Sequence, residues 1–226
     1  MAKILQEQDG LIDFDVSING AKLKDTVEVC ELFVQQEVNR IAFATIEIVD
    51  VGEIGAVNEP FSNSEGTDFI PGNEVEIRLG YGRKREEVFK GIIISQRLMV
   101  KQGRSRLVIT CKDKAVKMTN GRFNAIFQDG KDSDAMKKIV GKYGLQLKMD
   151  NTTMVKSVLM QYNCSDWDFL VIRAELNNMA VLTENNSLNV KNIDFNDTAS
   201  YEINAAQSVI DIDLSLDSEN IADSYQ

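Results

Sequence analysis

Hydrophobic and polar residues alternate with a period of two over much of the first half of this chain. In "LIDFDVSI", Ile12, Phe14, Val16 and Ile18 fall on one face and Asp13, Asp15 and Ser17 on the other, which predicts a half-buried strand. "TVEVCELFVQQEV" and "RIAFATIEIVDV" are dense in β-branched and aromatic residues, and Asn39-Arg40 stands between them where a hairpin turn falls. Residues 51–70, with Gly, Asn, Ser and Pro60, read as a long loop closed by a Pro71-Gly72 turn. In the strand that follows, Val75, Ile77, Leu79 and Tyr81 face one way and Glu74, Glu76 and Arg78 the other. "GRKREE" at 82–87 and "KQGRSR" at 101–106 read as turn tips ahead of the strands "VFKGIIISQRLMV" and "LVITCKD". Gly91, early in the first of these, predicts a bulge or a close backbone approach. Hairpin-linked strands with little helix between them predict an antiparallel β-barrel or sandwich, assigned to residues 1–115.

After residue 115 the period changes to that of a helix. In "DSDAMKKIVGKYG", Met136, Ile139, Val140 and Tyr143 recur at i, i+3, i+4 and i+7; Asp132 or Ser133 is the expected cap, and Gly144 fits the left-handed end. "LQLKM" alternates as a strand. "CSDWDFLVIRAELNNMAVL", 164–182, then repeats the layout. Ser165 is a natural N-cap with Asp168 three residues on, and Asp166 and Asp168 suit the positive end of a helix. Trp167, Leu170, Val171 and Ala174 form an apolar stripe that Phe169 and Ile172 widen, and Asn178 can take the left-handed turn. "MAVLTENNSLNV" reads as a hairpin around Asn185-Asn186. Residues 116–195 are thus a helix-strand, helix-hairpin element. The fold class is mainly β with this α+β element, followed by the start of a second β-barrel at 196–226. There "SVIDIDLSL" makes an amphipathic strand that cannot bury its own face.

The chemistry available narrows the function. The chain has no histidine, which removes Ser-His-Asp and Cys-His sites and the commonest ligand of catalytic zinc. No phosphate loop, GxGxxG or EF-hand loop occurs, and Cys30, Cys111 and Cys164 stand at no metal spacing and read as reduced, mostly buried thiols. No catalytic residue, cofactor or metal is therefore assigned. A carboxylate hydrolase using Asp166 and Asp168 is disfavoured because residues two apart on a helix do not face each other and capping accounts for both. No apolar run approaches the roughly 20 residues of a membrane span, and the N-terminus lacks the core of a cleaved signal peptide.

Charge is segregated along the chain. Residues 83–156 carry 18 Lys or Arg against 7 Asp or Glu, while 1–82 carry 5 against 16 and 157–226 carry 2 against 12. Two readings stand: faces of one domain that differ in charge, or a basic middle that docks on acidic surface of a neighbour. In the second, the tips Arg83, Lys84, Arg85 and Arg104, Arg106 are the contact candidates; in the first they are solvated turns. Nucleic acid is not an expected partner, because the chain is acidic overall and its basic segment has few interleaved aromatics.

Three stretches together resemble the N-terminal part of the VgrG family of type VI secretion spikes, which shares its fold with the central hub protein of contractile phage tails. They are "FIPGNEVEIRLGYG"; "VFKGIIISQRL" with "RLVITCKDKAVKM"; and "YNCSDWDFLVIRAELNNMAVLTENNSLNV", similar to the family's aspartate-aromatic-x-Phe-Leu helix at Asp166, Trp167, Asp168, Phe169 and Leu170. The chain departs from the family at Asn177 and Asn178, where a glycine is usual. The family continues into a second barrel, an oligosaccharide-binding-like barrel and a β-helical needle. None of these follows residue 226 in the sequence, so spike tip and needle are not implied for it.

The resemblance implies a structural hub: a homotrimer whose paired barrels form a pseudo-sixfold ring on a hexameric tail-tube protein, with baseplate proteins and effectors as further partners. It implies assembly in the cytoplasm as part of an apparatus that can be delivered outside the cell. On this reading Ser165 to Leu170 pack the α/β element between barrels. The rival reading is a stand-alone adaptor that binds a partner through a strand edge, using the strand at 208–216.

Overall fold

One long strand organises the first half. The computed structural model describes residues 3–4, 12–50, 61, 63–81, 84–101, 104–194 and 201–202. The chain divides into two units, Leu11–Ile193 and a second made of Met1–Gly10 with Asp194–Gln226. The strand β1 (Lys3–Ile4) belongs to the second unit.

In the first unit, β2 (Ile12–Ile18), β3 (Ala21–Lys22), β4 (Val29–Gln35), β5 (Phe43–Val49), β6 (Glu74–Tyr81), β7 (Lys84–Lys101) and β8 (Arg104–Lys112) form one antiparallel sheet, ordered β3-β2-β6-β7-β8-β5-β4. β7 is 18 residues long because it serves two neighbours in turn. Its first half pairs with β6, from Tyr81↔Lys84 to Glu74↔Ile92, and its second half with β8, from Ile92↔Lys112 to Lys101↔Arg104. The sheet bends where the partner changes, so Ile77 and Val16 on one side and Ile46, Leu107 and Ile109 on the other bury into a single core with Phe69, Phe89 and Ile93. Gly91 sits at the bend, and a Cβ there would run into the Lys112 carbonyl oxygen.

The barrel expected from the sequence is not closed by hydrogen bonds among the described residues; β3 and β4 are the free edges. A strand that changes partner mid-length lets the sheet wrap its core without closure. The basic tips are also shorter than expected. Strand pairing runs out to Lys84 and to Arg104, so Lys84–Glu87 and Arg104–Arg106 are ladder residues and not turns. Arg83 lies outside the described residues.

A 3₁₀ helix (Lys114–Thr119) leaves the sheet and is followed by β9 (Phe123–Lys131), α1 (Asp132–Gly141), β10 (Gln146–Met149), β11 (Val155–Cys164), α2 (Asp166–Glu175), β12 (Met179–Glu184) and β13 (Ser187–Asn192). β9 and β11 pair antiparallel as a two-stranded ribbon, and β13 lies between β10, parallel, and β12, antiparallel. Both left-handed ends occur as expected, at Gly144 (φ 64°) and Asn178 (φ 54°), and the Asn185-Asn186 turn has φ of 51° and 65°. The helices bury Met136, Ile139, Val140, Phe169, Leu170 and Ala174 against Val181, Leu188 and Val190. Ile172, expected to widen the stripe, is 49% exposed. Two cysteine expectations divide: Cys111 is buried, Cys30 exposed.

The ribbon strands β9 and β11 have no counterpart among the elements the sequence pattern predicts. In β11, Leu159 and Gln161 point into the core while Val158, Met160 and Tyr162 point out, so the apolar residues face outward and the usual apolar-in, polar-out contrast is missing. Of the second unit, the described part is a parallel pair, β1 with β14 (Tyr201–Glu202). The strand expected at 208–216 lies outside the described residues.

Candidate functional site

The two strand-helix units, β9-α1 and β11-α2, are built alike. Each helix opens on Asp-x-Asp, Asp132 and Asp134 in one and Asp166 and Asp168 in the other, and each reaches its left-handed residue twelve positions after the first aspartate. Both first aspartates are fully buried, and each is held from the other helix's C-terminal end. Asp132 accepts hydrogen bonds from Arg173 Nε at 2.7 Å and Asn177 Nδ2 at 3.0 Å, and Lys156 Nζ lies 3.0 Å away. Asp166 accepts from Tyr143 Oη at 2.8 Å and Lys142 Nζ at 3.1 Å, and from Gln161 Nε2 at 2.7 Å. The helices are thus clasped reciprocally at both ends.

The clasp explains how two carboxylates can be buried. A carboxylate at a helix start faces unpaired N–H groups and the positive end of the helix dipole. Burial alone would push the Asp132 carboxyl up, but the bonds from Arg173, Asn177 and Lys156 outweigh it and hold it below its usual value. The same surroundings push the Tyr143 hydroxyl up to about 12, by burial first and then by the carboxylate it donates to.

The caps differ from expectation in detail. Asp132 is the first helical residue of α1 and not its cap; the Asp134 carboxylate accepts from Lys131 N at 3.2 Å, and Thr152 Oγ1 accepts from Ser133 N at 3.1 Å. On α2, Ser165 Oγ accepts from Asp168 N at 3.0 Å, as the sequence suggested. Asp168 itself is exposed, Trp167 is 8% exposed in the core, and Phe169 stacks on Phe127 with ring centroids 5.8 Å apart.

A polar seam joins the α/β element to the seven-stranded sheet. Asn39, left-handed in the β4–β5 turn (φ 59°), donates its N–H to the Val181 carbonyl at 2.7 Å and accepts Val181 N–H on its side-chain oxygen at 2.9 Å. Ala42 N donates to Thr183 Oγ1 at 2.7 Å. Buried Asp113, at the end of β8, accepts from Ala115 N and from Asn186 N, both at 2.8 Å. Burial pushes its carboxyl up despite those two backbone donors. Beside the seam a cleft of about 500 Å³ is lined by Glu37, Asn39, Arg40, Ile41, Lys112 and Trp167. Its carboxylate, Glu37, is already paired with Arg40 at 2.9 Å.

The basic segment does not face outward as a block. Arg85 reaches across Gly80, its cross-strand neighbour without a side chain, to Asp13 and Asp15 on β2. Arg106 pairs with Glu47, Lys90 with Glu76 at 3.4 Å and Lys114 with Glu74 at 2.5 Å. Basic β7 and β8 lie between acidic β6 and β5, so much of the complementarity seen along the sequence is met inside the chain. Lys84 and Arg104 are exposed. Among the described residues an apolar patch lies on the outer face of the β9–β11 ribbon, where Ile126 (63% exposed), Val158, Met160 and Tyr162 (75%) stand together.

Among the described residues no three His, Cys, Asp or Glu side chains group as a metal site, and no helix is long and apolar enough to cross a membrane.

A family model described as the Alg8 N-terminal domain matches residues 8–226. No curated protein matches the sequence. Among solved structures, the 43 kDa tail protein of prophage MuSo2 from Shewanella oneidensis superposes with a TM-score of 0.60 at 9% identity, over 80% of this chain and 53% of that one. An Escherichia coli component of the type VI secretion system, itself structurally similar to T4 bacteriophage tail proteins gp27 and gp5, matches with a TM-score of 0.56 at 13% identity, over 78% and 48%. A chain of the Francisella PdpA-VgrG complex matches at 0.52 and 12% identity, over 82% and 29%. At such identities the likeness establishes a shared fold. The chain spans about half the length of the first two.

Proposed function

The chain belongs to the Alg8 N-terminal domain family, and from that premise we propose that it is a structural hub subunit of a contractile injection apparatus, seated where spike meets tube. What supports this is its fold, shared with phage tail proteins and a type VI secretion component, on a body whose polar groups are spent on holding itself rigid. The observation that carries the reading is the reciprocal clasp together with the seam: buried charge here fastens elements to one another. In this proposal residues 1–115 are the first hub domain, built on the open, wrapped sheet, 116–195 the α/β element beside it and 196–226 the beginning of a second barrel. Three copies form a ring of pseudo-sixfold symmetry on a hexameric tube protein, with baseplate proteins and effectors as further partners. Assembly takes place in the cytoplasm.

No turnover belongs to this reading. Asp166 is buried and fully bonded while Asp168 is exposed, so the two carboxylates do not share a site. Oligomer contact falls to the apolar ribbon face, since charged pairs at a surface contribute only about 0–1 kcal/mol each.

Light scattering on the full chain tests the proposal. A species of three times the 25.3 kDa chain mass is expected, with Val158→Lys plus Met160→Lys reducing it to one chain at unchanged circular dichroism. A monomer at every concentration, with no binding to a hexameric tube protein, would overturn it.

A further inference from the structure

The sequence contains two Asn-Gly pairs, Asn19-Gly20 and Asn120-Gly121, and the structure sets them in opposite circumstances. Asn-Gly is chemically labile because glycine's amide nitrogen, unhindered by a side chain, can reach the asparagine side-chain carbonyl. Asn19 is tied on both sides. Its N–H donates to the Glu74 carbonyl at 2.9 Å, and its side-chain oxygen accepts from Glu74 N–H at 2.9 Å. It is left-handed (φ 50°) in the β2–β3 turn, so turning its backbone to close a ring would break both bonds and the hairpin. Asn120 is exposed. Among the described residues its side chain makes no hydrogen bond, nor does the Gly121 N–H; the pair's backbone is held only by Asn120 N–H to Lys117 O at 3.3 Å. Gly121, at φ +84°, has the freedom a ring closure needs.

We propose that Asn120 is a site of spontaneous covalent modification. The Gly121 amide nitrogen attacks the Asn120 side-chain carbonyl carbon, giving up its proton to solvent, and the side-chain amide nitrogen leaves as ammonia. Water then opens the resulting succinimide at either carbonyl, giving aspartate or, with the main chain rerouted through the side chain, isoaspartate. No oxidant or enzyme is required. The position gives the reaction a structural consequence. Residues 120–122 lie on the single covalent passage from the seven-stranded sheet to β9, and Arg122 beside them donates from Nη1 to the Asn163 carbonyl at 2.9 Å. Isoaspartate there lengthens the passage by one backbone atom and adds a negative charge, and this marks aged copies of the chain.

Trypsin cleaves after Lys117 and Arg122, so Asn120 is released in the five-residue peptide Met118–Arg122, and Asn19 in the peptide ending at Lys22. The folded full chain is held at mildly alkaline pH and physiological temperature, sampled over weeks and digested. The expected result is a Met118–Arg122 peptide gaining about one mass unit on the order of tenfold faster than the Asn19 peptide, with an early-eluting isoaspartate isomer. Unfolding in urea should bring the two rates together, and Asn120→Gln should abolish the gain in the folded chain. Equal rates in the folded state, or an unmodified Asn120 at the last time point, would overturn the assignment.

Discussion

Trp167 shows how a single residue in a recognisable motif earns its place by packing. It is 8% exposed at the first turn of α2 and belongs to the cluster of Met136, Leu170 and Val181. Trp167→Ala should cost about 3–5 kcal/mol, as large aromatic truncations in cores do. Ser165→Ala, which loses one cap bond, should cost about 1 kcal/mol. Chemical denaturation of both variants checks the ratio; equal losses would mean that the tryptophan is not a core residue. Arg85 carries the opposite lesson. The sequence placed it in a basic tip, whereas its guanidinium is committed to Asp13 and Asp15. Arg85→Glu would set a third carboxylate beside those two, so thermal unfolding should show a clear fall in melting temperature where Lys84→Glu, at an exposed position, shows little.

At the scale of elements, the paired helices were legible because caps, apolar stripe and left-handed ends recur in both. Their clasp was not. An aspartate at a helix start is accounted for by capping and dipole alone, and nothing in the order of residues shows that Arg173 and Asn177 arrive at Asp132 from a second helix. β9 and β11 are illegible for a different reason: β11 turns Val158, Met160 and Tyr162 outward and Gln161 inward, and β9 sets Ile126 between Asn124 and Gln128 on its exposed face, so neither shows the apolar-in, polar-out contrast that marks a strand. The clasp gives two predictions. Asp132 is held below its usual pKa, so its contribution is complete above the unfolded value, about 3.9, and is lost as pH falls through the folded value. Asp132→Asn should therefore be less stable near neutral pH and lose less stability on acidification, read as a shallower fall of melting temperature below about pH 5. An unchanged acid limb would exclude Asp132 as a contributor. Asp113, pushed up by burial, works in the opposite sense, its contribution present at low pH and lost as pH rises through its folded value. The two aspartates of the clasp sit at opposite ends of helices ten residues long, about 15 Å apart at 1.5 Å per residue. Asp132→Ala and Asp166→Ala should each cost about 1–3 kcal/mol, since each removes the acceptor of several hydrogen bonds whose lysine and arginine donors keep partial access to solvent, and their effects should add to within about 0.5 kcal/mol. A double-mutant cycle in urea measures this; strong coupling would show one network in place of two locks.

For the whole molecule, the alternation of charge along the chain suggested docking between copies, and the fold meets much of it internally by interleaving basic β7 and β8 with acidic β6 and β5. Among the described residues an apolar patch stays exposed on the β9–β11 ribbon. The hub role proposed above requires the sheet and the α/β element to behave as one body that does not yield at the seam. Native-state hydrogen exchange at the seam tests this most directly. The amides of Ala42, Val181 and Asn186 bridge the two parts. They should exchange only through global unfolding, with the same free energy and denaturant dependence as Ile46 and Leu170 in the two cores. Seam amides that exchange through a separate, lower-energy opening, while both cores stay protected, would contradict the rigid-body account.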